Sequence, residues 1–166
     1  MKKLILIRHA KSSWDDSFIK DHDRTLSERG LNDAPLVGKF LNKKNIIPDL
    51  ILTSTAKRAS NTAELILNEI DDKNVKIKYD KNIYLTGPGK IIDIISNIEN
   101  DIKILVVVGH NPDMQMLVER LTNKHFPHLK FSTAGVAIID FEIESWNEIK
   151  TTHGVLEIFL TPKMLY

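Results

Sequence analysis

The chain contains no cysteine. That excludes disulfides, thiolate nucleophiles and cysteine-ligated zinc or iron–sulfur centres. Long apolar runs are also missing: stretches such as Leu4–Ile7 and Ile104–Val108 fall far short of the ~20 residues that a membrane helix needs. Neither sign of charge dominates. With 23 Lys+Arg against 22 Asp+Glu the net charge is +1, which gives no bulk attraction to nucleic acid or anionic lipid. Lys2-Lys3 and Lys43-Lys44 are too short to act as basic patches. There is no repeat, low-complexity tract or Pro/Gly/Ser linker. Arg8 ends the first apolar patch too early for the h-region of a signal peptide, so a cytoplasmic location is expected.

What is present fits a globular chain: 166 residues, 42% hydrophobic and 27% charged. That length predicts a single domain spanning 1–166. Strands alternate with amphipathic helices. Leu4–Ile7 and Ile104–Val108 are continuous apolar runs, the pattern of parallel strands buried on both faces. Residues 50–53 form another short strand, and 75–79 form one nearer an edge. Residues 12–25 are polar apart from Trp14 and Phe18 and read as a loop. Ser27 caps a helix to about Asn45, with Pro35 expected to kink it or mark its start. Ser54 and Thr55 are candidate caps for a helix over 56–70, whose alanines allow close packing on a sheet. Gly87-Pro88-Gly89 precedes a helix carrying Ile91, Ile92 and Ile95. Asn111-Pro112 pairs a cap with proline at the first helical position, and that helix runs to about Leu121. After residue 130 the pattern changes. Residues 135–141 and 154–160 are two strands with no convincing helix between them, predicting an antiparallel pair beside the parallel sheet. The whole predicts a three-layer α/β/α sandwich.

Ligands of open α/β sheets bind beyond the carboxyl ends of the strands. There the first strand ends in Arg8-His9-Ala10-Lys11 and the second in Thr53-Ser54, one turn before Arg58. The late strand ends in Gly109-His110-Asn111-Pro112. Two guanidinium forks suit phosphate oxygens, and the helix starts add positive dipole ends. A histidine among these cations should have a lowered pKa and stay a neutral nucleophile. No carboxylate cluster or His-Glu-x-x-His motif suggests a metal, and His125 with His128 lacks a third ligand.

These three motifs, with Ser54-x-x-x-Arg58-Ala59-x-x-Thr62-Ala63 in the middle, resemble the histidine phosphatase superfamily. Arg8-His9-Ala10-Lys11-Ser12-Ser13-Trp14 and the compact length are most similar to its small branch, the SixA-type phosphohistidine phosphatases. The resemblance implies a phosphoglycerate mutase-like fold, with a mostly parallel central sheet and the antiparallel C-terminal pair. It implies that His9 is transiently phosphorylated and that Arg8, Arg58 and His110 complete a phosphate pocket. It also implies that Arg24 is a further phosphate ligand; the residues alone equally allow a loop salt bridge with Asp21 or Asp23. No cofactor or metal is expected. The expected partner is a phosphorylated protein or small phosphorylated substrate, with inorganic phosphate as product and no nucleic acid or membrane. Two alternatives stand beside phosphohistidine hydrolysis: a small-molecule phosphomonoesterase or mutase, and a phosphate-binding module without turnover. The glutamate proton donor of larger members has no counterpart in Tyr84-Leu85-Thr86. Asp15 is the candidate acid, with Asp16, Asp21 and Asp23 as competitors.

Overall fold

The computed structural model describes residues 1–166. Six strands, β1 (Lys2–Arg8), β2 (Leu50–Thr53), β3 (Lys76–Tyr79), β4 (Ile104–Gly109), β5 (Val136–Phe141) and β6 (Val155–Leu160), form one sheet. Its order is β3-β2-β4-β1-β5-β6. The pairs β3/β2, β2/β4 and β4/β1 are parallel, whereas β5 runs antiparallel to β1 and β6 antiparallel to β5. The four helices are α1 (Glu28–Lys43), α2 (Lys57–Asn68), α3 (Pro88–Ser96) and α4 (Asp113–Thr122).

The three layers follow from the side-chain alternation of the strands. In β1, Ile5 and Ile7 pack on one face with Val37 and Leu41 of α1 and Ala59, Ala63 and Ile66 of α2. Leu4 and Leu6 pack on the other, with the isoleucines of α3, Leu117 and Val118 of α4, and Trp146. All four central residues of β1 are fully buried, as the unbroken apolar run requires.

Several boundaries differ from expectation. Ser27 does cap α1, accepting from the Gly30 amide at 3.2 Å. Pro35 neither begins nor ends that helix, which runs through it. The carbonyl deprived of a partner belongs to Leu31, an exposed residue that water can reach. Ser54 and Thr55 do not cap α2; Ala56 holds that position with no side-chain bond. Thr55 instead pairs with His22, and the Ser54 hydroxyl, which also accepts from the Ala56 amide, faces His110. Helix α4 starts one residue late, with Pro112 at the cap; the Asn111 side chain accepts from the Gln115 amide at 3.3 Å and donates to the Phe131 carbonyl at 2.9 Å. The predicted 12–25 loop contains a short 3-10 turn at Asp21–Asp23. Another, Trp146–Lys150, lies between β5 and β6.

Candidate active site

Strand pairing creates the centre of the site. Arg8 of β1 lies opposite Gly109 of β4, so the next residue of each strand is a histidine at the same level. The His9 and His110 rings lie 5.2 Å apart at an interplanar angle of 52°. His9 is 7% exposed and His110 1%. The His9 Nδ1 donates to the Ala10 carbonyl at 2.7 Å. A carbonyl only accepts, so this bond places the proton on Nδ1 and leaves the lone pair on Nε2. Burial lowers the His9 pKa to about 4, and the nearby cations Arg58, Arg8 and Arg24 push in the same direction. His110 is lowered to about 3, again mainly by burial, then by His9 and Arg58. Its Nε2 lies 2.8 Å from the Ser54 hydroxyl.

Thr62 couples two of the chain's motifs. Its hydroxyl accepts from the Ala10 amide at 3.0 Å and donates to the Arg58 carbonyl at 2.6 Å, locking the first turn of α2 to the residue after His9. Gly30 permits a second close approach: a Cβ there would lie 2.2 Å from the Lys11 carbonyl oxygen. That carbonyl also accepts from the Ser27 amide and hydroxyl, fixing α1 against the loop that follows His9.

The guanidiniums are held but not saturated. Arg8 donates through Nη1 to the Phe131 carbonyl at 3.0 Å. Arg58 donates to the Asp21 carbonyl at 2.7 Å and to its carboxylate at 3.0 Å. Three buried nitrogens of the cluster have no partner in the protein: Arg8 Nε, Arg58 Nε and His110 Nδ1. Desolvated groups of this kind are costly unless something pairs with them. An oxyanion offers several acceptor oxygens and a charge that complements the guanidiniums.

A cavity of about 260 Å³ is lined by Arg8, His9, Arg24, Arg58 and His110, five of the six candidate site residues. The sixth, Asp15, does not line it; it is an exposed loop residue whose amide is bonded to the Ser13 hydroxyl. Asp16 is turned onto the Phe18 amide, and Asp23 lies 3.6 Å from His22. No carboxylate lines the cavity. Arg24 is more engaged than its neighbours, donating to Asp21 at 3.1 and 3.2 Å and to the Ser12 hydroxyl at 2.7 Å. Nowhere do three histidine, aspartate or glutamate side chains gather in a way that could hold a metal ion.

The sequence offers Asp21 as a partner for Arg24, and the two do pair, but it does not reveal the part Asp21 plays with Arg58 and Tyr84. Its carboxylate accepts from Arg24, Arg58 and the Tyr84 hydroxyl. Those bonds, Tyr84 first and then Arg58, lower its pKa to about 2, so it is an ionised brace rather than an acid. Tyr84 in turn sets its ring edge-on to both His22 and His110. No local pattern announces the contacts with Arg58 and Tyr84, because they join residues 37 and 63 positions apart. Trp14 is 71% exposed, and the Arg24 guanidinium carbon lies 3.6 Å from the centre of its ring.

The geometry therefore defines a small cationic pocket with a neutral imidazole at its floor, and the comparisons place it in a family. Residues 4–83 match the histidine phosphatase superfamily, branch 1. An uncharacterized protein of Mycobacterium tuberculosis is 33% identical over 171 residues, covering 95% of this chain and all of the relative. An uncharacterized chloroplastic protein of Arabidopsis thaliana is 30% identical over 161 residues, covering 92% of this chain and 72% of the relative. An Agrobacterium tumefaciens structure assigned as the phosphohistidine phosphatase SixA superposes with a TM-score of 0.83 at 27% identity, over 97% of this chain and 98% of that one. A SixA protein histidine phosphatase complexed with tungstate shares the fold, with a TM-score of 0.82 at 18% identity over 99% of both chains. The chain belongs to the histidine phosphatase superfamily, in its SixA-like branch. No helix is long and apolar enough to cross a membrane.

Proposed function

We propose that the protein is a phosphatase that works through a phosphohistidine intermediate on His9 and acts on phosphohistidine carried by proteins. One observation carries the reading: His9, with its Nε2 unprotonated, lines one cavity with Arg8, Arg58 and His110, each of which keeps a buried nitrogen without a partner. In the first step the Nε2 lone pair attacks phosphorus as the bond to the leaving nitrogen breaks; that nitrogen departs with the electron pair and takes a proton from solvent. In the second step water attacks the phosphorus, the bond to Nε2 breaks, and inorganic phosphate leaves. The guanidiniums balance charge on the equatorial oxygens in both displacements, the task that a metal performs in other phosphoryl-transfer sites, and neutral His110 contributes a hydrogen bond from Nδ1.

The walls favour nitrogen over oxygen as the leaving atom. An alkoxide needs a strong general acid, and no carboxylate lines this cavity. A phosphorylated imidazole needs less help. Specificity constants for a phosphohistidine peptide, phosphoramidate, a sugar phosphate and a phosphoglycerate test the assignment. The expected order puts the two phosphoramidates well above the two esters. Preference for an ester would instead support a metabolite phosphatase or mutase, and binding without turnover would support a phosphate-recognition module.

A further inference from the structure

We propose that the segment Trp14–Ile19 and Leu85 form a docking collar for a protein that presents its phosphoryl group on a projecting side chain surrounded by apolar surface. This rests on the function proposed above and adds to it the surface that selects the partner. Trp14 and Leu85 both line the cavity, yet they are 71% and 52% exposed, so they stand at its mouth. The chain between Trp14 and Asp21 is tied to the pocket at both ends. Trp14 lies over the Arg24 guanidinium, and Asp21 braces Arg24 and Arg58. Phe18 is three residues from Asp21 and so within about 11 Å of it along the chain. It is 96% exposed, and Ile19 is 41% exposed. The Asp16 carboxylate accepts from the Phe18 amide at 2.9 Å, which holds the loop in a turn.

Single exposed apolar side chains are ordinary; two at the mouth of one charged pocket, with two more on the loop that joins Trp14 to Asp21, are not. The pocket and its mouth also ask for different things. The floor is cationic and complements a phosphoryl dianion. The collar carries Asp15 and Asp16 beside its apolar residues, and Lys20 follows it directly, so its grip is not that of a single charge. A small phosphorylated metabolite fits a cavity of about 260 Å³ without reaching Phe18. A protein whose phosphorylated side chain reaches the floor would lay the surface around that side chain on the collar.

The test compares the full-length wild type with a Phe18→Ser, Ile19→Ser double variant. One substrate is a small carrier protein phosphorylated on a surface histidine, and the other is phosphoramidate. The double variant should raise KM for the carrier protein about tenfold, the scale of losing one or two apolar anchors. Its kcat on that protein, and its kcat/KM for phosphoramidate, should stay within about twofold of wild type. Phe18→Leu should restore most of the loss. An unchanged KM in an enzyme active on phosphoramidate would overturn the collar and leave the function standing. Wild-type inactivity on both substrates would overturn the function itself. If the wild type is a dimer that the double variant dissociates with no change in KM, the surface joins two copies of this chain and the proposal fails.

Discussion

The two ends of the sheet show what separates a site from a hollow. The amino ends of β2, β3 and β4 border a cavity of about 430 Å³, lined by Asp49, Leu50, Lys76 and Ile102 among others. The carboxyl ends of β1 and β4 border one of about 260 Å³. By volume the amino end would be chosen. Its polar groups, however, are either bonded or in water: the Asp49 carboxylate accepts from the amides of Lys103 and Ile104 at 2.8 and 2.9 Å, and Lys76 and Lys78 are exposed. At the carboxyl end Arg8, Arg58 and His110 each keep a buried nitrogen without a partner. Donors that the fold has desolvated and left free mark the place where chemistry can occur.

The largest effect that this contrast predicts is at the floor. His9→Ala should lower phosphatase turnover by roughly three orders of magnitude or more. The same substitution should leave the chain folded in thermal melts; retained turnover would remove His9 as nucleophile. Arg58→Ala should come next, with a loss on the order of 10²–10³ in kcat, the scale of losing one oxyanion donor. Steady-state kinetics would show it, and a loss confined to KM would mean that Arg58 binds the ground state only.

A pH series sharpens the contrast further. With the His9 pKa held at about 4, kcat/KM corrected for substrate dianion should stay flat well below neutrality and fall only as pH approaches that value. A fall centred near 6.5, the value of a free imidazole, would contradict the burial argument. Stability should follow the same groups. His9 and His110 stay neutral when folded, at about 4 and about 3, whereas the unfolded chain takes up both protons near pH 6.5. Their contribution is present above that unfolded value and is lost as pH falls through the two folded ones, so acid should lower the urea midpoint across that window. The smallest effect belongs to the other end. Asp49→Ala should cost about 1 kcal/mol in urea titrations and leave turnover unchanged.

Much of this arrangement is legible in the sequence. The unbroken apolar runs of β1 and β4 identify buried parallel strands, and the residues that follow them then fall on one sheet edge without further information. His9, His110, Arg8 and Arg58 are found that way. Three kinds of feature are not legible. Cap positions shift by one or two residues: the Ser54 hydroxyl faces His110, and the Asn111 side chain, one residue before the cap, bridges the Gln115 amide and the Phe131 carbonyl. Asp21 reaches Arg58 and Tyr84 only after the loop and α2 have packed, so its brace leaves no periodic trace. Asp15 reads as a candidate acid because it follows the first motif closely, yet chain proximity does not turn a carboxylate toward the cavity.

The central claim is that Nε2 of His9 accepts the phosphoryl group, and rapid-quench trapping under alkaline conditions tests it most directly. After a few milliseconds with radiolabelled phosphoramidate, the account predicts a base-stable, acid-labile phosphoryl group that maps to His9 and is absent from His9→Ala. Multiple turnovers with no label at His9, or a label on His110 instead, would contradict it.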